Sequence, residues 1–147
     1  MKKSHISLIA VFILVVIGWI VFNNNSFSEQ ICIEKTCFNV EIADTDEKKI
    51  LGLGNRDFLE EKEGMLFPYP EKSAPGFWMK DMRFPIDIIW INLEMKVSGI
   101  IKDFQPCESN ELCPVVYPDE EIIYVLEINS GLSERYGIKK ENIVYFK

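Results

Sequence analysis

Proline and glycine interrupt the apolar segments in the centre of this chain, and that pattern limits the folds open to it. Residues 64–91 read GMLFPYPEKSAPGFWMKDMRFPIDIIWI and contain four of the seven prolines. Apolar runs of this length between Pro and Gly are typical of short strands joined by tight connections. We therefore predict β-structure here, with short strands over residues 65–69, 77–79 and 86–92.

The same pattern continues on both sides of the centre. Phe38, Val40 and Ile42 alternate with polar residues, and residues 122–128 are almost wholly apolar. Two short helices are predicted, one over residues 44–52 with Asp44 as its cap and one over residues 130–136. Seven or eight short strands and two short helices predict one compact all-β domain, a sandwich or a barrel.

A separate apolar segment precedes this domain. Residues 6–22 form a run of 17 residues without charge or proline, at the short end of what spans a bilayer core of ~30 Å. Lys2 and Lys3 precede the run and no Lys or Arg follows until Lys35, which favours a body outside the membrane. We predict an uncleaved anchor; the alternative is a signal peptide, for which Ser26 and Ser28 offer a weak cleavage site.

These features divide the chain into four predicted parts. Residues 1–5 are the cytoplasmic N-terminus, residues 6–22 the transmembrane anchor or signal peptide, residues 23–29 a linker, and residues 30–147 the extracytoplasmic β domain. The membrane is thus one expected partner. The expected location is the cell membrane, as a single-pass protein with its domain outside, or the exterior if the segment is cleaved.

The charge of the domain argues against nucleic-acid binding. All 23 Asp and Glu residues lie beyond residue 28, against 14 Lys and Arg, so this part carries a net charge of −9. No basic face or stripe is present, whereas nucleic-acid-binding domains concentrate Lys and Arg on one surface.

The four cysteines form two close pairs in the sequence. If the domain lies outside, disulfides are expected, and of the three possible connectivities the local one, Cys32–Cys37 and Cys107–Cys113, is the simplest. If residues 34–35 form a two-residue turn, Cys32 lies opposite Cys37 in a close cross-strand pair. Zinc is disfavoured because no C-x-x-C is present and the one histidine, His5, adjoins the apolar segment.

Three ordered motifs, GMLFPYP, FWMKDM and PIDIIWI, resemble those of a bacterial and archaeal family named domain of unknown function 192. The segments ADTDEKKILGLGNR and YVLEINSGLSERYGI are similar to the family's flanking segments, so the resemblance covers about residues 38–146. It implies a compact, mostly β domain, often behind a signal or an anchor. It implies no activity, because none is assigned to the family.

Nine positions carry this resemblance residue by residue. They are Arg56, Gly64, Met65, Trp78, Met79, Lys80, Pro85, Asp87 and Glu127. The chain departs from the family pattern at Lys48-Lys49, where Glu-Arg is usual, at Gly54, where Met is common, and at Asp81, which replaces Asn.

Two carboxylates lie in apolar strands, where a carboxylate has to be paired, hydrogen-bonded or protonated. Asp87 should share a strand face with Ile89 and Ile91. It is either a site carboxylate or a structural acid held by an ion pair or by backbone N–H groups. Glu127 lies in VLEIN, and with Asp87 it could form the acid and base of a hydrolase, although nothing in the sequence places the two together.

A ligand-binding face is predicted around the FWMK motif. Aromatic side chains stack on sugar rings or pack on peptides, and nearby cations add polar contacts. The predicted ligand-binding residues are Trp78, Lys80, Asp87 and Arg56, with Tyr69 at the rim. Phe77 is expected in the core.

These features favour a domain that binds a ligand or a protein at the cell envelope over an enzyme. Two alternatives stay open: an envelope hydrolase that uses Asp87 and Glu127, and a structural partner of a membrane complex. No nucleophile elbow, P-loop, dinucleotide fingerprint or metal-ligand cluster is present, so no cofactor is predicted.

Overall fold

The computed structural model describes residues 29–107 and 112–147. The strands are β1 (Glu29–Ile33), β2 (Thr36–Ile42), β3 (Glu63–Ser73), β4 (Ile86–Ile91), β5 (Val97–Phe104), β6 (Ile122–Asn129) and β7 (Val144–Phe146). The helices are α1 (Asp46–Leu51) and α2 (Leu132–Arg135). The all-β prediction with two short helices is confirmed.

The seven strands form one sheet in the order β5-β4-β6-β3-β2-β1-β7. Neighbouring strands are antiparallel except β2 and β3, which are parallel. The two ends of this order meet, because Lys96 bridges Ile143 and the Val144 N–H donates to the Met95 carbonyl at 2.8 Å. The sheet is therefore barrel-like, and a barrel was one of the two predicted architectures.

Side chains alternate between the two faces of the sheet, and each face has its own core. The first core is formed by Ile31, Ile33, Phe38, Val40, Leu66, Ile89, Ile91, Val97, Leu126, Ile128, Leu132, Ile138 and Val144. The second core contains Met65, Phe67, Ile86, Ile88, Trp90, Ile122 and Val125 from the strands, covered by Ala43, Leu53, Leu59, Phe77 and Met79 from the connections. Phe77 lies in the second core, as expected, with edge-on contacts to Phe67 and Trp90.

The first helix begins later than predicted. Thr45 is the residue that caps α1, and its hydroxyl accepts a hydrogen bond from the Lys48 N–H at 3.3 Å. Asp44 instead pairs with the Lys48 ammonium at 2.7 Å, so the prediction of Asp44 as the cap is wrong. The helix ends at Gly52, whose positive φ of 52° is easily adopted only by glycine.

The strand predictions around the central prolines need correction. Strand β3 runs on through Pro68 and Pro70 to Ser73, whereas residues 65–69 were predicted. It tolerates proline because its pairing with β2 ends at Leu66, which leaves only the β6 side to satisfy. Residues 77–79 are not a strand; Phe77 makes an isolated bridge to Val116.

Both predicted disulfides are present. Cys32 and Cys37 lie opposite each other with Cα atoms 4.0 Å apart, in the predicted register, and Glu34 takes the positive φ of 54° that the turn requires. Cys107 bonds to Cys113, with Cα atoms 5.5 Å apart.

The predicted anchor at residues 6–22 lies outside the described residues, as does most of the predicted linker. Within residues 29–107 and 112–147, no helix has the length and apolar character needed to cross a membrane. The four-part division of the chain therefore stays a prediction.

Candidate functional site

A cavity of about 320 Å³ opens on the second-core face of the sheet. It lies between α1 and the segment at residues 76–82, above strands β3 and β6. Its lining residues are Asp46, Lys49, Ile50, Leu51, Gly52, Leu53, Phe67, Tyr69, Gly76, Phe77, Trp78, Lys80, Met82 and Glu127. We call it the Glu127 cavity, after the carboxylate in its wall.

Strand register places Glu127 in this cavity. Glu127 pairs with Met65 on β3 and with Ile88 on β4, so its side chain lies on the second-core face with theirs. The residue is 5% exposed, and its Oε2 has no hydrogen-bond partner among the described residues. The end of α1 passes close by, because a Cβ on Gly52 would lie 3.9 Å from that oxygen.

Burial has the largest effect on the pKa of the Glu127 carboxyl. It raises the pKa of Glu127 to about 8, against the opposing effect of the positive charge of Arg56. The Arg56 guanidinium is itself bonded to the Glu41 carboxylate at 2.6 Å, so it does not neutralise Glu127 directly. At neutral pH the cavity therefore presents a carboxyl that can donate as well as accept.

Tyr69 is the polar neighbour of this carboxyl. Burial and the charge of Glu127 raise the pKa of Tyr69 to about 12, so its phenol stays protonated. The Lys49 ammonium lies 4.4 Å from the centroid of the Tyr69 ring, a cation–π contact. Tyr69 thus holds one lysine of α1 beside the cavity.

The rim combines apolar and charged side chains. Trp78 is 47% exposed, and Ile50 and Leu51 on α1 are more exposed still. Lys80 is exposed, and Asp46 is the second acidic residue of the lining. A ligand that entered would meet an aromatic ring, two lysines and two carboxyl groups.

Three of the five predicted ligand-binding residues come together in this cavity, namely Trp78, Lys80 and Tyr69. Arg56 does not line it and acts on it only through its charge. The sequence reasoning missed the contribution of α1, including Asp46 and Lys49, because no local pattern indicates where a six-residue helix docks.

Asp87 does not line the cavity, and its surroundings explain why it is buried. It is fully buried and accepts hydrogen bonds from the backbone N–H groups of Asp103 at 2.9 Å, Gly131 at 3.2 Å and Ser133 at 2.9 Å. These bonds tie the start of α2 and the end of β5 to β4. The geometry favours the structural interpretation of Asp87, an acid held by backbone N–H groups.

The alternative in which Asp87 and Glu127 serve together as the acid and base of a hydrolase does not fit the strand register. On the paired strands Asp87 lies opposite Ile128, while Glu127 lies opposite Ile88, so the two carboxylates point to opposite faces of the sheet. They share no cleft, and the sequence alone could not show this because the register between β4 and β6 decides it.

No group of three or more His, Cys, Asp or Glu side chains that could hold a metal ion occurs in the described part of the chain. The polar chemistry of the cavity rests on Glu127, Tyr69, Asp46 and the two lysines.

Comparison with known proteins shows which family this chain matches. The model of the DUF192 family, described as "Uncharacterized ACR", matches residues 29–146. No curated protein matches the chain.

Two solved structures share the fold. One is the crystal structure of a protein of unknown function from Novosphingobium aromaticivorans, at 28% identity and a TM-score of 0.75, covering 83% of this chain and 88% of that one. The other, from Sinorhizobium meliloti, is described as a "putative transcription regulator"; it has 24% identity and a TM-score of 0.74, covering 82% of this chain and 95% of that one. At that identity the second match shows the fold alone.

Proposed function

Because the chain belongs to the DUF192 family of uncharacterised proteins, we propose a function from its own geometry: it is an envelope domain that binds a small ligand in the Glu127 cavity. The ligand contacts Glu127 inside the cavity and Trp78 and Lys80 at its rim. The volume of about 320 Å³ suits a ligand of one or two rings.

The observation that carries this proposal is the unpaired Oε2 of Glu127. A buried polar atom without a partner costs about 1–3 kcal/mol of stability, and such a cost is commonly kept where a site needs the group. The carboxyl that carries this atom lies in the wall of a cavity whose rim residues Ile50, Leu51 and Trp78 are exposed, so a ligand that enters the cavity and reorients the carboxyl supplies the missing hydrogen bond.

The proposed location outside the cytoplasm is supported by the two disulfides, since such bonds persist in oxidising compartments. The apolar run at residues 6–22 would tether the domain, and the short segment before Glu29 would keep it close to the bilayer.

A thermal-shift screen of the full-length protein in lipid nanodiscs tests ligand binding. The panel contains envelope glycans, peptides and lipids. A ligand at 100 times its dissociation constant should stabilise the fold by about 2.7 kcal/mol, which raises Tm by several degrees. Glu127→Leu, which removes both carboxyl oxygens, should weaken the effect, and the remote Lys102→Gln should not. A blank screen on a well-folded domain would contradict the proposal.

A second candidate function, docking of a membrane-complex partner, is favoured by the apolar rim. Ile50 is 68% exposed and Leu51 57% exposed, beside Trp78. If this surface binds a protein, Ile50→Ser should abolish in-cell crosslinks formed from α1 and leave small-ligand binding unchanged. If instead it belongs to the ligand site, the substitution should weaken ligand binding and remove no crosslink.

A further inference from the structure

The chemistry of the Glu127 cavity constrains what the ligand can be, and this inference rests on the proposed function. Glu127 presents an oxygen without a protein partner, buried beside the Tyr69 phenol. Either a hydroxyl group or an ammonium group of the ligand could donate to it. The remaining charges of the cavity distinguish these two donors.

Positive charge predominates around the carboxyl. Lys49 and Lys80 both line the cavity, and the Arg56 charge acts on Glu127 from outside it. Asp46 is the one other acidic residue of the lining. Within residues 29–107 and 112–147, no ion pair joins Lys80 to another side chain. An ammonium ligand would add to this positive charge, whereas a hydroxyl would not, and an acidic group on the ligand would find Lys80 available.

The aromatic rim indicates the shape of the ligand. The half-exposed indole of Trp78 presents an apolar surface at the mouth of the cavity, and Phe77 continues that surface inward. A ring with an apolar C–H face can pack on the indole while its edge groups make hydrogen bonds inside. The volume accommodates one such ring.

We infer that the Glu127 cavity binds an acidic sugar unit. One sugar hydroxyl donates to the Glu127 carboxyl, the face of the ring packs on Trp78, and the acidic group pairs with Lys80. Lys49, held on the Tyr69 ring, adds to the attraction for the acid. Each part of this arrangement uses a side chain that lines the cavity.

Calorimetric titration with three related sugars tests this inference on the full-length protein in nanodiscs. Glucuronate, glucose and glucosamine differ in charge and share the same hydroxylated ring. At pH 7 and matched ionic strength, glucuronate should bind at least tenfold more tightly than glucosamine, with glucose between them. Added salt should weaken glucuronate binding and leave glucose binding nearly unchanged.

Variants assign the contacts. Lys80→Gln should bring the affinity for glucuronate down to that for glucose, and Glu127→Leu, which removes both carboxyl oxygens, should weaken all three sugars. Lys102→Gln is the matched control, since this lysine is exposed and lies near Glu134 on α2, away from the cavity. Thermal unfolding of each variant checks that the fold is kept.

Two results would overturn the inference. Glucosamine as the tightest ligand would show that the site selects a cation. Suppose instead that no sugar binds, but that a peptide or a lipid from the wider screen does and that Glu127→Leu weakens it. This result would overturn the acidic-sugar inference and keep the proposed function. If nothing in either experiment binds, both fail.

Discussion

Asp87 and Glu127 lie on neighbouring strands one register step apart, and their surroundings differ completely. Three backbone N–H groups satisfy Asp87, while Glu127 Oε2 has no partner among the described residues. A carboxylate held by backbone donors stabilises a fold, whereas a buried carboxyl without donors favours its protonated form. Two residues that look alike in the sequence therefore have different roles.

The raised pKa of Glu127 makes stability depend on pH. The folded state holds this proton to about pH 8, while the unfolded chain releases it near 4.5. Its contribution to stability is therefore fully present below about pH 4.5 and is lost as pH rises to about 8. Glu127→Gln should remove this slope and, at pH 8, raise the free energy of unfolding by a few kcal/mol, since one pKa unit corresponds to ~1.4 kcal/mol.

Urea unfolding of both proteins between pH 5 and pH 8.5 measures this slope. The lowered pKa values of Asp44, Glu47 and Glu61 affect stability only at lower pH, so they do not obscure it. Equal slopes for the two proteins would show that Glu127 titrates normally.

The role of Asp87 predicts the opposite result for its amide variant. Asp87→Asn replaces one acceptor oxygen with an N–H₂ group that faces backbone donors, so the free energy of unfolding should fall by about 1–3 kcal/mol. Asp119→Asn, at an exposed position, is the control and should change stability by less than ~0.5 kcal/mol. Ligand binding in the cavity should persist in both variants. Loss of binding in Asp87→Asn alone would show that Asp87 contributes to the ligand site.

At the scale of elements, local patterns in the sequence were sufficient to predict most of the strands and the tight turn at Cys32–Cys37. They failed where tertiary contacts decide the structure. Strand β3 can include Pro68 and Pro70 because its pairing with β2 ends at Leu66. Residues 77–79 do not form a strand; Phe77 and Met79 pack over the second core instead. The cavity depends on where α1 docks, and no spacing of residues in one element encodes that.

The junction of α1 with the cavity depends on Gly52. Its φ of 52° and ψ of −136° are unfavourable for any residue with a Cβ, and an added Cβ would lie 3.7 Å from the Phe67 ring and 3.9 Å from Glu127 Oε2. Gly52→Ala should therefore destabilise the protein by about 1–3 kcal/mol. Gly131→Ala is the matched control, because its φ of 81° is also positive but its ψ of −10° lies in the left-handed helical region, which a residue with a Cβ adopts at lower cost.

Thermal unfolding of the two glycine variants makes this comparison. The account expects the larger loss at Gly52, together with weaker ligand binding as α1 shifts over the cavity. Equal losses would mean that Gly52 serves only to end the helix.

At the scale of the whole molecule, the barrel-like sheet separates two cores, one on each of its faces, and the Glu127 cavity opens on one of them. The first core lies on the face that carries Asp87, and the second core lies on the face that carries Glu127 and the cavity. The sequence predicted the all-β class and both disulfides but not this division, because it follows from the order and register of all seven strands.

The disulfides predict the compartment of the domain. Mass mapping of the unreduced protein extracted from membranes should find Cys32–Cys37 and Cys107–Cys113, because an oxidising compartment preserves both bonds. Alkylation of all four thiols before reduction would instead indicate that the domain faces the cytoplasm.

Ligand binding at Glu127 is the central claim, and the indole N–H signals of the tryptophans test it most directly. Trp78 lies at the rim, while Trp90 is buried in the second core and serves as an internal reference. When full-length protein in nanodiscs is titrated with glucuronate and with each ligand found in the screen, the account predicts a saturable shift of the Trp78 signal and a nearly fixed Trp90 signal. It also predicts a weaker response in Glu127→Leu, which lacks both carboxyl oxygens. A ligand that binds with no change at Trp78, or equally well in Glu127→Leu, would contradict it.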